Sequence, residues 1–179
     1  MSTAVAARSN VVACIKPAAE LALMYADGLV KGISAETFAH MPSKDGPHTV
    51  NSPAFNIGHL AIYPDFRIFG VLGREDLVKP LPFSMDLFKA GAPCVDEPGK
   101  YPSKDVLVST FVSRHRALLD ILPSVPDEVF ARQNPVEGRA REMFPTIGAL
   151  VTFLLVGHTQ SHLGQISVWR RIMGLGSVM

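Results

Sequence analysis

Two histidines, His158 and His162, stand four residues apart in the stretch 157–169, GHTQSHLGQISVW. A helical turn takes 3.6 residues, so positions i and i+4 share one face, and two imidazoles there can ligate one ion. Ile147, Val151, Leu154, His158, His162, Gln165, Trp169 and Ile172 recur at threes and fours. The pair therefore belongs to the apolar face that turns inward. A third histidine, His59, lies on a second stripe made of Phe55, His59, Ile62, Phe66 and Phe69. Polar rings on buried stripes need polar partners or a shared cation. The pattern predicts a three-histidine metal site, His59, His158 and His162, with coordination positions left for water or substrate. Three imidazoles suit zinc, nickel, iron and copper, with zinc and nickel standing first.

The other histidines read differently. His115 lies on an apolar stripe and is either a fourth ligand or, the preferred reading, a histidine at the far end of the fold bonded to a loop carbonyl. His40 and His48 fall in loops and are expected to be solvated. Gln165, three residues after His162, and Tyr63, four after His59, can reach the site to bond a ligand or the substrate, or can simply pack. Arg170 and Arg171 follow the stripe and read as a solvated helix end, with anion binding as the alternative. Position 159 is Thr, so the HExxH zinc-protease pattern lacks its general base. No Glu-x-x-His pair, paired-cysteine zinc motif, GxGxxG, P-loop or GxSxG occurs. Haem ligation stays open without support.

Four helical stretches must position these residues. The first, 10–31, has Ile15, Ala19, Ala22, Ala26 and Leu29 inside, with Pro17 as either a kink or its true start. The second opens at Asn51 or Ser52 as cap with Pro53 in its first turn. Pro64 should kink it, and Gly70 and Gly73 should end it. A long Pro- and Gly-rich connection, 74–102, is of a length to cross the end of a bundle. The third stretch, 103–122, carries Val108, Phe111, His115, Leu118 and Leu122. Residues 127–145 look irregular, and the fourth stretch runs from about 145 to 173.

With 179 residues, 47% hydrophobic and 18% charged, the chain suits one domain, 1–179, with a sizeable core. A net charge of +1 and no basic tract give no footing for nucleic acid. The N-terminus lacks the apolar core of a signal peptide. The longest apolar run, 147–157, is too short to span a bilayer. Cys14 and Cys94 form no disulfide framework. A cytoplasmic protein without a membrane partner is expected.

Asn56-Ile57-Gly58-His59-Leu60 and Gly157-His158-x-x-x-His162-Leu163-Gly164-Gln165 resemble the DinB-like (DinB/YfiT) superfamily. The resemblance spans most of the chain in helix order. It implies an all-α fold, an antiparallel four-helix bundle with a long crossover between its second and third helices. It also implies a divalent metal on His59, His158 and His162, and a homodimer. Relatives of this kind include metal-dependent transferases and isomerases that use mycothiol, bacillithiol or glutathione. Two functions stand side by side. One is a metal-dependent thiol S-transferase or isomerase acting on a small molecule. The other is a non-catalytic, metal-stabilised binding or stress-related protein.

Overall fold

The computed structural model describes residues 10–42 and 50–178. Four long helical rods carry the chain, and the described residues contain no strand beyond a single bridge between Gln133 and Thr146. The first rod, α1, is Asn10–Val30 and runs through Pro17. The second, α2 (53–71), joins the α-helix Pro53–Tyr63 to a π-helical turn, Pro64–Ile68, and a last turn, Phe69–Val71. The third, α3, is Lys104–Ile121. The fourth, α4 (147–172), is Ile147–Thr152, a π-helical segment Phe153–His158, and Thr159–Ile172.

The starts and stops follow local chemistry. Ser52 caps α2, its hydroxyl accepting from Phe55 N–H at 3.2 Å, with Pro53 behind it. Ser103 and Thr146 cap α3 and α4 in the same way. Gly174, at φ +76°, ends α4, and Leu175 N–H donates back to Arg170 O at 2.9 Å. Only glycine takes that left-handed turn freely.

The core is two apolar clusters along the rods. One holds Ala22 to Val30 of α1, Phe55 to Ile62 of α2, Leu107 and Phe111 of α3, and Leu163, Ile166 and Trp169 of α4. The other holds Val12 to Ala19, Ile68 to Leu72, Leu118 to Leu122, and Ile147 to Leu155. Thus α1 and α4 run from the second cluster to the first, and α2 and α3 run the opposite way. The long connection is what permits α2 and α3 to lie parallel. It is not an idle strap: Phe88, at its middle, is fully buried against α2.

Several expectations shift. Pro64 opens a π-helical turn and the rod continues to Val71. The extra residue in that turn rotates the face, and Phe66, expected inside, is 41% exposed. The stretch 127–145 holds two short helices, Asp127–Ala131 and Arg139–Met143. Arg170 is buried, not solvated. Its guanidinium donates to Leu29 O, Lys31 O and Leu175 O, placing a cation on the carbonyl end of α1. Arg171 is exposed. His40 is held by Asp96 at 3.0 Å while still partly exposed. His48 lies outside the described residues.

Candidate metal centre

The seam between the two clusters is where the histidines meet. On α4, the second cluster ends at Leu155 and the first resumes at Leu163, and His158 and His162 fill the interval. On α2, the seam falls between Ile62 and Ile68, one turn past His59. The π-helical segments of both rods border this level, the position at which such turns recur in functional sites.

His59, His158 and His162 each offer one ring nitrogen, and these three atoms lie within 4.8 Å of one another. His59 Nε2 and His158 Nε2 are 3.0 Å apart. Two nitrogens at ~2.0–2.1 Å from a tetrahedral zinc ion sit roughly 3.3 Å apart, so the spacing is close to that of coordination.

The protonation pattern can be worked out from the partners. His59 Nδ1–H donates to Phe88 O at 2.5 Å, which leaves Nε2 with its lone pair. Asn56 is fully buried, and its amide nitrogen donates to Asn51 O and Ser52 O, both at 3.1 Å. That fixes its Oδ1 as the atom facing His162, and His162 Nδ1–H donates to it at 2.8 Å. Hydrogen bonds at the other nitrogen therefore leave Nε2 of two of the three rings with its lone pair free, the arrangement that recurs where histidines bind metal. His158 is different. Its Nδ1 is buried without a partner. With His59 Nε2 an acceptor, His158 Nε2–H must donate to it, and a cation bound there would move that proton to Nδ1.

Burial controls the charge of this cluster. It pushes His158 down to about 3, with His162, His59 and His115 adding to the effect. Burial and the nearby His59 lower His162 to about 4. His59 is also lowered by burial, with the Phe88 carbonyl opposing. Three neutral imidazoles at neutral pH are the form that binds metal.

Tyr63 is brought to the site: its ring lies 4.6 Å from that of His158 and 5.0 Å from that of His59. Gln165 is half-buried one turn beyond His162, and the triad's bonds to protein come from Phe88 and Asn56 instead. His115 stays out of the three-histidine group but is not at the far end of the fold: on α3 it lies between Phe111 of the first cluster and Leu118 of the second, at the level of the seam, and its charge is felt at His158. It is buried, and its Nδ1–H donates at 2.9 Å to Phe111 O, a carbonyl of its own helix and not of a loop. Among the described residues, no fourth imidazole, thiol or carboxylate joins the three.

Asn56 and Gly58 stand in the second-helix motif without a role read from the sequence, and Phe88 is not singled out there at all. A Cβ on Gly58 would lie 2.3–2.6 Å from three carbons of the Phe88 ring, so glycine is what lets the connection reach His59. The mark of Asn56 in the sequence is its spacing, an amide three residues before the histidine and on the same side of the helix. Nothing local marks Phe88, because its contribution is a backbone carbonyl.

An all-α fold with a histidine cluster at its waist defines the class, and a family model agrees. The model of the DinB superfamily matches residues 18–166, and the chain belongs to that superfamily. No curated protein and no solved structure shows significant similarity to the chain. No helix among the described residues is long and apolar enough to cross a membrane.

Proposed function

We propose that His59, His158 and His162 hold one divalent metal ion, zinc or nickel first, and that the protein is a metal-dependent enzyme acting on a small molecule. The observation that carries this reading is the pair of Nδ1–H bonds, to Phe88 O and Asn56 Oδ1, that turn two Nε2 lone pairs toward the third histidine. The absence of a fourth protein donor among the described residues favours an open site over a closed structural one.

The chemistry a bound ion would supply is Lewis acidity, lowering the pKa of a coordinated low-molecular-weight thiol so that it reacts as thiolate. The chain's own residues orient the site and keep it neutral. The α2 and α4 rods fix the imidazoles, and the flanking apolar clusters lower the local dielectric. In transfer, the S–H proton goes to solvent, the sulfur's electron pair forms a bond to an electrophilic carbon, and the bond from that carbon to its leaving group breaks, the leaving group departing to solvent with the electron pair. No side chain is needed as general base. The cytoplasmic location expected from the sequence and the homodimer implied by the family resemblance belong to this same reading.

A screen of zinc- and nickel-loaded protein tests it, with mycothiol, bacillithiol and glutathione each offered to electrophilic acceptors. Transfer that disappears in His162→Ala supports the enzyme. A metal-loaded protein with no transfer for any thiol supports the non-catalytic alternative.

A further inference from the structure

Beyond the triad, a run of aromatic rings lies in and beside the two π-helical segments and ends in an arginine. Tyr63 stands edge-on to His158, and Phe66 follows at 6.4 Å from Tyr63. On the facing rod, the Phe153 ring is 5.7 Å from His158 and stacks on Phe144 at 4.3 Å. Tyr63, Phe153 and Phe144 are half-buried, while Phe66 is exposed. The Arg67 guanidinium lies over the Phe66 ring at 4.1 Å. It has no carboxylate partner among the described residues, in contrast to Arg114, which is neutralised by Asp65 on the same turn.

Plain α-geometry would have sent Phe66 into the core. The π-turn instead turns it outward and leaves Arg67 half-buried next to it. An outward phenylalanine leaves apolar surface in water, and an unpaired guanidinium is a preorganised anion receptor. We propose that Tyr63, Phe66, Phe153 and Arg67 form a subsite for a small aromatic anion, its ring against the aromatic side chains, its carboxylate on Arg67, and its donor atom at the triad. This rests on the metal reading above and assigns the substrate's body, which that reading leaves open.

The test uses the full chain loaded with cobalt(II) and three thiol probes: 4-mercaptobenzoate, thiophenol and 3-mercaptopropionate. The readout is the dissociation constant of each, taken from the cobalt absorption. Metal content is measured first. In Arg67→Gln, 4-mercaptobenzoate should weaken about tenfold, the scale of one charge-assisted contact, while thiophenol should hold within about twofold. Phe66→Ala should weaken both aromatic thiols and spare 3-mercaptopropionate. Unchanged 4-mercaptobenzoate binding in Arg67→Gln, or equal losses for all three probes, would overturn the subsite. Failure to load metal overturns the metal reading alone. The subsite is then read with benzoate, by intermolecular nuclear Overhauser contacts to Tyr63 and Phe66, and their absence overturns it.

Discussion

Asn56 Oδ1 lies 2.8 Å from His162 Nδ1, a bond between side chains 106 positions apart in the chain. It ties α2 to α4 at the level of the triad and fixes which nitrogen of His162 faces the cluster. Asn56→Leu removes the acceptor and leaves the ring free to choose the wrong tautomer. Metal affinity should fall about 10–100-fold, as when such outer partners are lost. Chelator competition measures this, with circular dichroism as the check on folding. Unchanged affinity would mean that packing alone orients His162.

Gly58 sits where the Phe88 ring crosses α2. In an open helix, Gly→Ala would add up to about 1 kcal/mol. Here the methyl group must displace a fully buried ring, and overpacking of that kind costs about 1–3 kcal/mol. The displaced segment carries the carbonyl that holds His59. Gly58→Ala should therefore lose both stability in denaturant and metal affinity. A stabilised variant with normal affinity would contradict the role given to Phe88.

Acid should destabilise the metal-free protein in a defined window. Burial holds His115 at about 4, His162 at about 4 and His158 at about 3 in the fold. In the unfolded chain each titrates near ~6.5. Between these limits the unfolded state binds more protons, so stability falls as pH falls. The contribution is complete above about pH 6.5 and is lost on the way down to pH 3–4. For buried His115 alone it is roughly 3 kcal/mol. Melts of chelator-treated protein from pH 7 to pH 4 should show the fall, and His115→Gln should make it shallower, leaving the part due to His158 and His162. A melting temperature constant over that range would refute the assignment.

Asp65 and Arg114 form a buried, two-point ion pair, Nε to Oδ2 at 2.7 Å and Nη2 to Oδ1 at 2.5 Å. The same guanidinium donates to Leu77 O and lies over Phe69. The pair clamps the π-turn of α2 to α3 and to the start of the connection. Asp65→Ala strands a buried cation, and about 3–5 kcal/mol should be lost. For a chain of this size that is a fall in Tm of about 6–20 °C. The double variant Asp65→Leu, Arg114→Met should recover part of it. Equal losses in single and double variants would show that packing, not the stranded charge, sets the cost.

Much of the fold was legible because the inner stripes repeat at helical spacing. Ile15, Ala19, Ala22, Ala26 and Leu29 are all buried. The triad was legible for the same reason: two of its members share one helix face and the third lies on a second stripe. Phe66 was misplaced because one extra residue in a π-turn leaves no mark in the periodicity. Arg170 was misread because its partners are carbonyls of Leu29 and Lys31, which no side-chain pattern announces. His115 is not at the far end of the fold but at the level of the triad, and its acceptor is Phe111 O of its own helix, a bond that depends on rotamer and not on sequence. The support from Phe88 comes through the long connection, whose path turn residues alone do not fix.

The central claim is that these three imidazoles bind one ion. Its most direct measurement is a zinc titration of chelator-stripped protein at neutral pH, by calorimetry and elemental analysis, beside His162→Ala. The expected result is one ion per chain in the parent protein. The variant should remain helical, since alanine favours helix, and should bind at least about 100-fold more weakly. A folded parent protein that takes up no zinc and no nickel, or a variant that binds as tightly as the parent, would contradict it.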